Sequence, residues 1–123
     1  RYLGILYSYV LLGTVLEWIF TPSNAASGFG FVLLELSNEG QNALIRDFTS
    51  FFFATCIFSL LGAITLNSAW FFSVAIIYLG AAIFNLIAIY VYGTGYNDIY
   101  ISEIILAAWP AALGLTLVLK SNE

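Results

Sequence analysis

The chain has 123 residues, 62% of them hydrophobic and only 8% charged, with a mean hydropathy of +0.98. A soluble domain of this size cannot hide so much apolar surface, so the composition predicts one integral membrane domain. Seven acids against Arg1, Arg46 and Lys120 give a formal charge of −4, which leaves no basic patch to neutralise a nucleic acid.

The absence of His and Met removes the usual ligands of haem and of most transition metals, so no metal and no side-chain-ligated cofactor is expected. A bound lipid, quinone or pigment would need no such ligand. Cys56 is the only cysteine and reads as a small buried hydrophobe. With no Met in the sequence, Arg1 is not expected to be the encoded start, and the first apolar run shows no signal-peptide pattern.

A helix needs about 20 apolar residues to cross the hydrocarbon core of about 30 Å. Four runs approach or meet that length, at about residues 2–20, 44–66, 69–92 and 101–119. Open strands would leave backbone groups unpaired in lipid, so the runs are read as helices. The expected fold is all-α, an integral membrane four-helix bundle of antiparallel up-down topology.

Taken in order, the first run is stopped at Thr21-Pro22, because proline lacks an amide donor and pushes its predecessor out of helical geometry. Residues 21–43 form the one long connection. Its apolar middle, Phe29 to Leu36, is too short to span, so an interfacial or re-entrant segment is expected. Asn42 is read as the N-cap of the second run. The connection Asn67-Ser68 makes the second and third runs a hairpin, and Gly93 to Asp98 ends the third run with residues that tolerate left-handed backbone. Ser102 is read as capping the fourth run, where Pro110 should bend the helix.

Four crossings put Arg1 and Lys120 on one side and the long loop on the other, and the positive-inside rule makes the termini cytoplasmic and the loop non-cytoplasmic. The same topology carries Glu17, Arg46, Asn85 and Glu103 to the non-cytoplasmic end, one from each run. Charges cost about 2.5–3.5 kcal/mol each at a bilayer centre, so they normally face inward and pair. Small residues share their faces: Ala107, Pro110, Ala111 and Gly114 with Glu103, Ala81 and Ala88 with Asn85, Ser50 and Ala54 with Arg46, and Gly13 with Glu17. Arg46 is expected to pair with Glu17, Glu103 or both, as a structural pin or as a ligand site. Phe51-Phe52-Phe53 and Trp70-Phe71-Phe72 are read as facing lipid or a partner, and Tyr90, Tyr92, Tyr96 and Tyr100 as an interfacial aromatic belt.

An apolar helix ending in proline, then Asn42-Ala43-Leu44-Ile45-Arg46, Gly80-Ala81-Ala82-Ile83-Phe84-Asn85-Leu86, a Gly95 turn and a last helix opened by Glu103 resemble a pattern found elsewhere. It is similar to short four-helix bacterial membrane proteins of an uncharacterised family, distantly DoxX-like. The chain departs from that family at Asn85, where the pattern has an Arg, and at Phe48-Thr49, where a Gly follows the Arg46 position. The resemblance implies a four-helix membrane fold and carries no established activity.

The inventory lacks a nucleophile-base pair and a metal cluster, so no catalytic residue and no enzyme activity is expected. The functional expectation is a small accessory or scaffold subunit of a larger complex in the bacterial inner membrane, in contact with lipid and with other membrane subunits. The alternative is a small transporter, or a lipid, quinone or pigment binder, acting through the four polar residues and possible as a homodimer.

Overall fold

Long apolar runs leave the backbone one economical solution in lipid, and the computed structural model, which describes residues 1–93 and 99–121, takes it. Every regular element among the described residues is helical: α1 (Tyr2–Phe20), α2 (Pro22–Gly28), a 3-10 turn (Leu33–Glu35), α3 (Asn38–Thr65), α4 (Ser68–Tyr92) and α5 (Ile99–Ser121). Four of these, α1, α3, α4 and α5, are long and apolar enough to cross a membrane.

The elements begin and end for local chemical reasons. Pro22 occupies the first turn of α2, where its missing N–H costs nothing. The start of α3 is set by Ser37, whose Oγ accepts the Gly40 N–H at 3.1 Å while its carbonyl accepts the Gln41 N–H at 2.8 Å. Asn42 therefore lies inside the helix and does not cap it. The stretch Asn38 to Ala43, expected as part of the long connection for its turn formers Asn38-Glu39-Gly40, is helical because it is capped.

Asn67 caps α4, with Oδ1 accepting the Ala69 N–H at 3.0 Å. Gly93 closes the same helix in the left-handed region at φ 67°, as its residue type suggested. Leu66 does the same for α3 at φ 56°, an unfavourable place for a side chain, and its N–H bonds back to the Gly62 carbonyl at 2.9 Å. Helix α5 starts at Ile99, so Ser102 is within its first turn and is not its cap. The expected turn residues from Thr94 to Asp98 lie outside the described residues. Pro110 is buried within α5, which continues through it to Ser121.

The chain divides into two compact units. In the unit Leu6–Ile57, the stripe Tyr7, Leu11, Val15 and Trp18 on α1 is buried at helical spacing. Trp18 meets Phe48 of α3 at a ring separation of 5.0 Å, and the Cys56 thiol donates to the Ser8 carbonyl at 3.3 Å. The connection between α1 and α3 folds onto this pair: Phe29 lies 6.1 Å from Trp18 and 5.1 Å from Phe48, and Ala25, Ala26 and Leu33 are buried.

In the unit Arg1–Ile5 and Phe58–Glu123, α4 packs along α5. Phe71, Val74, Ala75, Tyr78 and Ala82 form the inner side of α4. Phe71 lies so close to Gly4 and Gly62 that a Cβ at those positions would stand 2.8 Å and 3.0 Å from its ring. Gly114 of α5 makes the same room for Phe72, at 2.9 Å. The aromatic triplets thus split across environments: Phe52 and Phe71 are buried, whereas Phe53 is exposed, which corrects their reading as outward-facing blocks. Glycines that admit a ring decide which aromatic turns inward.

Candidate functional site

Asn85 sits two turns before the end of α4, and Glu103 one turn into α5. The close packing of these helices lets the Asn85 amide act on the Glu103 carboxyl. Asn85 Nδ2 and Glu103 Oε2 are both buried and have no hydrogen-bond partner among the described residues. In an apolar surrounding such orphaned polar atoms are costly, by about 1–3 kcal/mol per group. The pair retains donor and acceptor capacity for a proton or a polar group of a ligand.

The small-residue face behind Glu103 is where its spacing put it. Ala107, Pro110 and Gly114 are buried, and α4 approaches α5 along them. Below the pair, Ala75 and Leu79 of α4 with Ile104, Ala107, Ala108 and Ala111 of α5 line a groove of about 210 Å³. The groove is apolar and open to the surroundings of the helix pair.

The other two polar residues belong to the unit Leu6–Ile57 and take different roles. Arg46 Nε bonds Asp47 Oδ1 at 2.9 Å, and both side chains are about two-thirds exposed, at 69% and 66%. The ion pair that Arg46 makes is local, with its sequence neighbour, where the expectation was Glu17, Glu103 or both. Glu17 is exposed on α1 beside exposed Gly13, and its backbone carbonyl accepts the Thr21 hydroxyl at 3.1 Å. Within the other unit, Asn85 and Glu103 lie on the two helices that pack along each other.

The aromatic knot of the unit Leu6–Ile57 was not anticipated. Trp18 is fully buried against Phe29 and Phe48, and its indole N–H has no acceptor among the described residues. The Thr49 hydroxyl, one residue after Phe48, is buried and unsatisfied as well. The available signal was the apolar middle of the long connection, which carries Phe29 and needs a surface to cover.

Among the described residues no group of three or more His, Cys, Asp or Glu side chains could hold a metal ion. The chemistry open to the site is hydrogen bonding and proton exchange at Glu103, with Asn85 orienting what binds. Set against models of protein families, curated proteins and solved structures, the sequence matches none.

Proposed function

We propose that the chain is a small, non-catalytic accessory subunit of a larger membrane assembly, seated in a bacterial inner membrane with its termini in the cytoplasm and docked to its partner by apolar helix faces. The observation that carries this reading is the Ala-lined groove between α4 and α5. Small side chains at Ala107, Ala108 and Ala111 keep it shallow, and Leu79 and Ile104 flank it, which suits the close approach of another transmembrane helix. Gly80, on α4, would meet nothing within 4 Å if it carried a Cβ, so backbone can come close there too.

The test is native mass spectrometry of the chain extracted in gentle detergent from its own cells. We expect co-migration with larger, different subunits, and Ala108→Phe or Ala111→Phe should release the chain from them while leaving its helix content intact. A monomer or homodimer as the sole species sinks the accessory role.

The orphaned Asn85 and Glu103 atoms favour a second reading, in which the same pair exchanges a proton or holds a polar ligand during transport. Normal assembly of Glu103→Gln with loss of a proton-coupled uptake activity would select this reading over the first.

A further inference from the structure

At the other end of the unit Arg1–Ile5 and Phe58–Glu123, four helix ends meet around a cavity of about 400 Å³. The start of α1 contributes Arg1 and Tyr2, the turn after α3 contributes Leu66, the first turn of α4 contributes Phe71, and the end of α5 contributes Leu117 and Lys120. The volume lies within the range of small-ligand sites, about 300–1,000 Å³.

Two properties define what this cavity would take. Its wall is mainly apolar: of the two hydroxyl-bearing side chains in its lining, Thr116 is already committed to the Ala112 carbonyl at 2.8 Å, and Tyr2 is exposed. Its rim carries Arg1 and Lys120, two of the three basic residues of the chain, both exposed. Neither cation appears in an ion pair among the described residues. A free inorganic anion would use the rim and leave the apolar wall idle. A neutral lipid would do the reverse.

The position along the helices makes the same selection. The backbone turns here at Leu66-Asn67, between α3 and α4, and exposed Tyr2 lines the same cavity. Helix ends, an amphipathic ring and basic side chains gather at the headgroup level of a bilayer, where acyl chains begin on the inner side and phosphates lie on the outer.

We propose that this cavity binds one anionic phospholipid, with the phosphate between Arg1 and Lys120 and the upper part of an acyl chain against Phe71, Leu66 and Leu117. Arg1 supplies a planar fork for two phosphate oxygens and Lys120 a second charge, so the site reads headgroup charge. The apolar wall reads the chain. The site is separate from the Asn85–Glu103 pair and does not depend on the accessory role.

The experiment is native mass spectrometry of purified protein titrated with palmitoyl-oleoyl phosphatidylglycerol or with the matching phosphatidylcholine. We expect the wild type to retain the anionic lipid preferentially. Arg1→Gln with Lys120→Gln should weaken that lipid about fivefold per cation, about 30-fold together, and leave phosphatidylcholine unchanged. Leu117→Trp, which fills the apolar wall and keeps both charges, should lower occupancy by either lipid. Circular dichroism checks that each variant keeps its helices. Equal retention of both lipids by the wild type, undiminished preference in the double variant, or displacement of the lipid by millimolar inorganic phosphate would each overturn the proposal.

Discussion

Asn85 and Glu103 show what a single polar pair does inside an apolar helix hairpin. Each leaves a polar atom buried and unsatisfied, so the energy of either residue depends on what the other is. Asn85→Leu removes the polar group that acts on the carboxyl, whereas Asn85→Leu combined with Glu103→Leu removes both. We expect the double variant to be more stable than the Asn85→Leu single variant, with a coupling of about 0.6 kcal/mol and an upper range near 2, measured by a double-mutant cycle in detergent. Arg46 offers the contrast. Its ion pair is exposed and made with its neighbour, so Arg46→Gln should leave thermal stability and assembly unchanged. A large loss there would show that the guanidinium has a partner beyond Asp47.

At the scale of the helices, the glycines around Phe71 and Phe72 set the fit. The Phe71 ring is 2% exposed, so it cannot swing away from a Cβ placed at Gly4 or Gly62. Gly4→Ala and Gly62→Ala should each destabilise by about 1–3 kcal/mol through overpacking. Gly80→Ala, with open space around it, should stabilise α4 by about 0.5–1 kcal/mol because alanine loses less freedom in a helix. Thermal unfolding in one detergent orders the three variants. At the start of α3, Ser37→Ala removes the oxygen that holds the Gly40 N–H and should cost about 1 kcal/mol, with fraying detected by amide exchange across Asn38 to Asn42.

How much of this was written in the sequence differs by element. The four long helices were legible because apolar runs of that length have one economical fold in lipid. Their inward faces were less so, because a helix that is apolar on every side carries no periodic contrast to mark its core. Phe71 illustrates the gap: its burial depends on glycines 67 positions upstream and nine upstream, a match visible only when the helices are placed together. The start of α3 was missed for a different reason, since a serine cap and not hydropathy extends it. Of the candidate site, the Glu103 face could be read from its alanines and glycine. The Arg46 pairing could not, because an adjacent acid competed with the distant ones.

For the whole molecule, the solvent it needs is set by its surface. Phe84, Tyr92, Ile76 and Tyr2 are among many large apolar and aromatic residues left exposed, at 70%, 79%, 68% and 88%. In water such a surface would aggregate, and in a bilayer it is the normal exterior. The proposed orientation is open to a direct check with Cys56→Ser as background. A single cysteine at Ser27, in the exposed long connection, should react with a membrane-impermeant maleimide from outside intact spheroplasts, whereas one at Lys120 should react after lysis alone. The reverse labelling would invert the chain.

The length of α3 carries one more consequence. At 1.5 Å per residue its 28 residues extend about 42 Å, some 12 Å more than the hydrocarbon core of a typical bilayer. Counting about 20 residues back from the turn at Thr65 reaches Arg46. A core of that thickness ending at Thr65 would put the Arg46–Asp47 pair at its other edge, with the turns from Asn38 to Ile45 beyond it as an overhang. The helix is a ruler with a charged mark on it, and in a thicker bilayer that mark should be drawn toward the acyl chains unless α3 stands more upright.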